Sequence, residues 1–383
     1  MELMSKCTIV WLFIAIAVAF IQSAVFKCWM DSGNSVIEFQ CKDTEAVGTK
    51  CPVVCSALNT DCYLYHASKD LVRVTETEDQ KIVLKHKDIP MLTKEYTQSL
   101  LPVDEEPPEV FQDMLQGLVA FELNGRDNLD ILSLLWPWHN SSSIITGQNS
   151  QLLEQIVRFA HNDEYKLMQL YSDLQLFPRV LGTCGDIYVV EHMTLLLDRP
   201  LLDLFPALTD TCHVTRSARR ILHYLLHLSS VLPLHLCDLQ WGHFGADSAG
   251  RVRFVDLDAA FSAEKMAATQ RETVCSTDED CDFFDCRGTC DVAQGRCLGG
   301  VSDNVSNLCR QLVWARAPLL GAQRRLGLLA AVLSEQQAEL LERCARSRTA
   351  EHAQQVAEVL EELERRTCAE PEWETRDTDT DEF

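Results

Sequence analysis

Leu236-Cys-Asp-Leu-Gln-Trp-Gly-His243, followed at residues 254–258 by Phe-Val-Asp-Leu-Asp, is the stretch on which the fold turns. Ahead of it, residues 217–230 carry Ile221, Tyr224, Leu225 and Leu228 at helical spacing. Residues 251–256, Arg-Val-Arg-Phe-Val-Asp, read as a strand that ends on a carboxylate. Asp238 and Asp256 therefore each stand at the end of an apolar run, with a short strand pair between them. An apolar scaffold fixes such loops while leaving their side chains available for chemistry.

Working outward, residues 180–182 and 186–191 read as two short strands around a turn at Gly185. Before them, residues 152–174 form a helical pattern through Ile156, Phe159, Leu167 and Leu170 that stops ahead of Phe177-Pro178. Earlier still, Leu71-Val-Arg-Val and Lys81-Ile-Val-Leu-Lys alternate as strands do. Residues 103–150 lack a steady period and read as an insertion with one helix near 110–121. Downstream, residues 320–366 read as two amphipathic helices. Strands, a helix, strands and then mostly helices suit a two-lobed α+β domain.

Phosphoryl transfer of the kinase type needs a strand Lys for the nucleotide phosphates, a helix Glu to position it, an Asp near the acceptor hydroxyl and an Asp for metal. Lys85, Glu164, Asp238 and Asp256 occur in that order. Lys85 ends Ile-Val-Leu-Lys, which looks like the V-A-I-K strand. Asp238 stands where a kinase has H-R-D and Asp256 where it has D-F-G. Glu164-Tyr-Lys-Leu-Met-Gln-Leu, then Phe177-Pro-Arg-Val-Leu-Gly and Ile187-Tyr-Val-Val-Glu-His-Met, resemble the C-helix, the following strands and the hinge.

On these residues the chain resembles the divergent protein kinase domain 1 family, also called family with sequence similarity 69. Cys275-Ser-Thr-Asp-Glu-Asp-Cys-Asp-Phe-Phe-Asp-Cys-Arg-Gly-Thr-Cys-Asp looks like that family's cysteine-rich insertion, and residues 177–189 are similar to its hinge region. The resemblance implies a two-lobed kinase-like fold with disulfide-rich insertions. It also implies ATP and Mg2+ as cofactors. Lys85 and Glu164 would set the phosphates, Glu191 would line the nucleotide at the hinge, Asp256 and His243 would hold metal, and Asp238 would orient the acceptor.

Several positions depart from the kinase pattern. Residues 71–80 contain no glycine, so no glycine-rich loop can bring backbone N–H groups over phosphates. His243 replaces the Asn that holds a second Mg2+, and imidazole is a softer donor than that cation favours. Cys237 replaces the Arg that pairs with a phosphorylated activation segment. Cys184 and Cys237 lie in apolar runs, where a buried free thiol is the default reading. Residues 122–133 lack the alternating ligands of an EF-hand, so no calcium site of that type is expected. The acidic run Asp278, Glu279, Asp280 and Asp282 reads as a solvated loop.

Composition sets the compartment. Residues 7–26 are about 20 apolar positions without a charge, the length a helix needs to cross hydrocarbon. An uncleaved anchor is expected over a cleaved signal peptide, because small residues are hard to place around Gln22, Ser23 and Ala24. Sixteen cysteines follow Cys7, a density that belongs to an oxidising compartment. Cys275, Cys281, Cys286, Cys290, Cys297 and Cys309 lack the paired C-x2-C knuckles of zinc sites and read as disulfide partners, in any of fifteen pairings. Asn140 and Asn304 begin N-x-S sequons.

A net charge of −23 argues against nucleic-acid binding. The resemblance implies a single-pass type II protein of the endoplasmic reticulum membrane, with a Golgi or secreted location left open, acting on a lumenal protein or glycan. Its parts would be a cytoplasmic tail at 1–6, an anchor at 7–26, a cysteine-rich segment at 27–62 and an N-lobe at 63–193. A C-lobe at 194–368 with a cysteine-rich insertion at 275–309, and an acidic tail at 369–383, would complete it. The competing reading keeps the kinase scaffold without catalysis, as a pseudokinase that binds lumenal partners.

Overall fold

Alternating apolar residues build the first sheet. In the computed structural model, strands β1 (Tyr63–Leu64), β2 (Leu71–Glu76), β3 (Lys81–His86), β4 (Val180–Cys184) and β5 (Ile187–Glu191) form one antiparallel sheet in the order β1-β2-β3-β5-β4. The structure describes residues 48–57, 63–64, 71–77, 80–87, 108–123, 129–138, 150–197, 210–313 and 332–368, with positions 37, 38, 41, 89, 96, 99 and 329. The expected anchor at 7–26 and the sequon at Asn140 lie outside these residues. Among the described residues no helix is long and apolar enough to cross a membrane.

Because successive side chains on a strand point to opposite faces, Ile82, Leu84, Ile187 and Val189 share one face and Lys85 and Tyr188 the other. The apolar face is covered from the cysteine-rich segment by Ile37 and by Val54 and Ala57 at helix α1 (Cys51–Ser56). Disulfides Cys41–Cys55 and Cys51–Cys184 bind that cover to itself and to β4. A Cβ on Gly48 would lie 2.1 Å from the Thr183 carbonyl oxygen, so only glycine permits this approach.

The chain divides into two compact units. The first holds residues 1–118, 129–169 and 178–192, the second 119–128, 170–177 and 193–383. Helices α2 (Pro108–Val119), α3 (Ile131–Leu135), α4 (Ser150–His161) and α5 (Asp163–Leu170) accompany the first sheet. The single helix expected over 152–174 is broken: the Asn162 side chain accepts the Tyr165 N–H at 3.0 Å and caps α5 as a separate helix.

In the second unit, α6 (Thr211–Val231) starts at the Asp210 cap and buries Ile221, Leu225 and Leu228. Then come β7 (Leu234–Leu236), a 3-10 turn at Trp241–His243, β8 (Phe244–Ala246), β9 (Val252–Phe254), β10 (Ala260–Ser262) and α7 (Ala263–Glu272). β10 pairs with β7, and β6 (Thr194–Leu195) pairs with β8, which pairs with β9. The cysteine-rich insertion forms the small hairpin β11 (Cys290–Asp291) and β12 (Arg296–Cys297). Helices α8 (Asn304–Val313), α9 (Glu335–Arg346) and α10 (Ala353–Thr367) complete the unit, α8 and α10 packing on α6.

The insertion's pairing is Cys275–Cys290 and Cys281–Cys297, with Cys286 joined to Cys237 and Cys309 to Cys344. Cys212–Cys368 ties the start of α6 to the residue after α10. Two sequence expectations, a free thiol at Cys184 and another at Cys237, are thereby corrected. Cys184 and Cys237 are disulfide partners rather than free thiols, because Cys51 and Cys286 are brought to Cα separations of 4.7 and 4.9 Å. The Cys275, Cys281 and Cys290 sulfurs lie within 4.8 Å of one another, and all three are joined in disulfides.

Candidate functional site

Lys85 sits near the end of β3, and the strand directs its side chain away from the apolar cover. Its Nζ meets Glu164 Oε1 at 2.5 Å, and only 9% of Lys85 and 5% of Glu164 is exposed. Glu164 lies in the first turn of α5, where the helix dipole favours a carboxylate. Its second oxygen accepts a hydrogen bond at 2.5 Å from the Tyr188 hydroxyl, and Tyr188 is the register partner of Lys85 on β5. One carboxylate thus joins two neighbouring strands to the helix. Burying such a pair costs several kcal/mol of desolvation per ion, offset only when the remaining polar atoms are also satisfied.

Aromatic packing fixes the glutamate's helix. Phe159 stacks on Tyr165 at 4.3 Å, and Tyr188 meets both rings edge-on. The Tyr165 hydroxyl donates to the Leu135 carbonyl at 2.6 Å, so α3, from the segment read as an insertion, holds α5 in place. At the end of β5, the Glu191 carboxylate accepts the Arg179 N–H at 2.8 Å.

In the second unit, β7 leads to Asp238 and the 3-10 turn carries His243. Asp238 Oδ1 accepts from the Gln240 side-chain amide at 2.8 Å, while its carbonyl oxygen accepts from His243 Nδ1 at 3.0 Å. His243 Nε2 lies 3.3 Å from Asp256 Oδ2, and Asp256 Oδ1 accepts the Asp258 N–H at 3.3 Å. These contacts bring Asp238, His243 and Asp256 into one constellation. Between His243 and Asp256 runs the β8–β9 hairpin, whose turn is built by Asp247. Burial pushes the Asp247 carboxyl up, but hydrogen bonds from the Arg251 backbone and from the Arg253 and Arg251 side chains outweigh it and hold the carboxyl at about 2.

The cysteine-rich insertion clamps the Asp238 loop from both sides. Asp285 Oδ2 accepts the Leu239 N–H at 3.0 Å, the Asp285 N–H donates to the Cys237 carbonyl at 2.6 Å, and Cys286 is bonded to Cys237. Asn304 supports β7, accepting from Leu236 N–H and donating to the Leu234 carbonyl, both at 2.8 Å. The sequon expectation at Asn304 is corrected here: the residue is 2% exposed and its amide nitrogen is committed to β7, so the folded chain offers no room for a glycan.

The acidic run of the insertion is a set of local braces. Asp280 accepts the Ser276 and Thr277 N–H groups, Asp278 accepts Cys290 N–H, and Asp282 accepts Gly288 N–H.

Sequence reasoning did not single out Tyr188 for a role, nor Asp285 and Asn304 as supports. Tyr188 carries a readable signal, a polar tip in an otherwise apolar buried strand. Asp285 carries none, since nothing local distinguishes it from its acidic neighbours.

A strand lysine bound to a helix glutamate, and an aspartate loop followed by a strand pair and a second aspartate, define a protein-kinase-like protein. The sequence pattern described as the protein-kinase domain of FAM69 matches residues 156–347, half of the chain, and the chain belongs to that family. A solved structure from Mycobacterium tuberculosis, described as the complex structure of Rv3197-erythromycin, is similar at 14% identity with a TM-score of 0.25. That similarity covers 55% of this chain and 49% of the other, so the chain spans about half of that protein's length.

Proposed function

We propose that the chain is a divergent phosphotransferase of the secretory pathway that uses ATP and a divalent cation. The observation that carries this is the buried Lys85–Glu164 pair with Tyr188 on its second oxygen. A buried ion pair is seldom more stabilising than apolar residues of the same volume, so stability alone does not account for it. In this reading Lys85 holds nucleotide phosphates, Glu164 and Tyr188 fix its ammonium, and Asp238 receives the acceptor hydroxyl. The donor set of Asp256 and His243 fits a dication, which would neutralise phosphate charge. The acceptor would be a lumenal protein or glycan.

Seven disulfides among the described residues suggest an oxidising compartment. The apolar stretch at 7–26 supports a type II anchor in the endoplasmic reticulum membrane, and Asn140 is the sequon proposed to carry a glycan.

The pseudokinase reading is favoured by the absence of glycine at residues 71–80 and by His243 standing where a kinase has Asn. Thermal unfolding of the full chain with ATP and divalent cation decides between the two. Stabilisation that needs the cation, shrinks in Tyr188→Phe and vanishes in Lys85→Ala and Asp256→Ala is the expected result, each variant measured against its own ligand-free melt. No shift at millimolar ATP, with the parent folded and its disulfides intact, would leave the scaffold reading standing.

A further inference from the structure

We infer that the cysteine-rich insertion carries the docking surface for the acceptor, centred on the exposed ring of Phe284, and that the acceptor is a protein segment of basic and apolar residues; the inference rests on the phosphotransferase reading above. The Phe283 N–H donates to the Cys286 carbonyl at 2.8 Å and the Cys286 N–H to the Phe283 carbonyl at 3.0 Å, closing a two-residue turn over Phe284 and Asp285. Phe284, the first of the two, has a φ of 52°. Glycine is the ordinary occupant of such a position, and a bulky side chain holds it only at a cost. Burial recovers little of that cost, since Phe284 is 60% exposed. Its ring rests edge-on against Phe283 at 4.9 Å, and Phe283 against Phe261 of β10 at 5.0 Å, so a ladder of three rings runs from β10 out to solvent. Folding alone gives no reason for a phenylalanine at the end of this ladder; contact with a partner does.

The turn stands beside Asp238. Cys237 and Leu239 flank that aspartate, and Asp285 holds the carbonyl of the first and the N–H of the second. A segment lying across Phe284 thus runs past the loop that carries Asp238. Among the described residues eight large apolar side chains are exposed, and residues 274–298 supply four of them: Val274, Phe284, Val292 and Leu298. Apolar exposure concentrated in this way marks an interaction surface. The disulfides Cys275–Cys290, Cys281–Cys297 and Cys237–Cys286 order the stretch before a partner arrives, so binding does not have to. Charge selects the occupant. Residues 275–297 carry six acidic side chains against two basic ones, in a chain of net charge −23. A second copy of the chain would be repelled, and a neutral glycan would neither answer the charge nor find hydrogen-bond partners on aliphatic side chains. A protein segment with Lys or Arg around an apolar residue answers both features.

The probe is a short fluorescent peptide of Lys, Phe and Ser, added without nucleotide to the purified full chain with its disulfides intact. Anisotropy reads binding, and amide exchange of the parent locates it. The expected result is binding that weakens by about tenfold or more when Glu replaces the peptide's Lys or Ala its Phe, with exchange slowed at residues 283–286. Phe284→Gly is expected to weaken binding by about tenfold or more and yet to melt at or above the parent temperature, because the turn is relieved. No peptide binding, equal binding by parent and Phe284→Gly, or slowed exchange only outside residues 283–286 would each overturn the inference. So would an uncharged oligosaccharide that slows exchange there when the peptide does not. The peptide series and the exchange measurement use the parent alone, so they decide even where the variant fails to fold. Peptide binding at residues 283–286 without stabilisation by ATP would uphold the surface and its occupant and remove the phosphotransferase reading. Stabilisation by ATP without peptide binding would do the reverse.

Discussion

Lys85 and Glu164 would each be costly to bury alone, and they are tolerated because 2.5 Å separates them and Tyr188 satisfies the remaining oxygen. The same logic governs Asp247, whose carboxylate answers the buried guanidinium of Arg253 at 3.0 Å. Its folded-state value of about 2 lies below that of an unfolded aspartate, about 3.9. Its contribution to stability is therefore complete above about pH 4 and is lost as pH falls toward about 2. Asp247→Asn strands the Arg253 charge and is expected to cost about 3–5 kcal/mol at neutral pH. Melts recorded down the acid limb should also show a shallower decline for the variant between pH 4 and 2. An identical acid limb in parent and variant would discard this account.

At the scale of elements, the loop after β7 is held by groups from outside it. Asp285 accepts Leu239 N–H, Cys286 is bonded to Cys237, and Asn304 binds the backbone on both sides of His235. A hydrogen bond to a charged acceptor contributes about 1.5–3 kcal/mol. Asp285→Ala should accordingly speed amide exchange at Leu239 by roughly tenfold to a hundredfold, while Leu225 in the middle of α6 keeps its protection relative to the global unfolding limit. Unchanged exchange at Leu239 would mean that the insertion does not clamp the loop. Elements themselves were largely legible: periodicity marks β2, β3, β5 and α6, because burial of one face imposes it. The break at Asn162 was not, since apolar spacing runs through it and only the side-chain cap to Tyr165 separates the helices.

For the whole molecule, cross-links reach far along the chain. Cys212–Cys368 spans 156 residues, and beside it Arg216 and Arg219 both pair with Glu364, so α10 is held to α6 by covalent, ionic and apolar contacts together. Opposed hydrogen bonds from the two arginines outweigh burial and keep the Glu364 carboxyl below its usual range. Replacing both cysteines by serine is expected to lower stability by about 2–4 kcal/mol without undocking α10. Chemical denaturation against the parent measures the first, and protection of Leu360 and Leu363 from exchange measures the second. Exposure of those leucines under native conditions would show that the disulfide alone holds the helix.

Membership of the kinase-like FAM69 family, the order of Lys85, Glu164, Asp238 and Asp256, and the oxidising compartment were all determined by the sequence alone, because motif order, periodicity and cysteine density are properties of a line of residues. The tertiary structure decided how the cysteines pair, that Tyr188 completes the Lys85–Glu164 pair, that Asp285 grips Leu239 and that Asn304 is a buried support rather than a glycan site. Asn304 and Leu234 stand 70 residues apart along the chain and 2.8 Å apart in space. Contacts of that kind depend on how elements pack, and no local pattern of residue types encodes them.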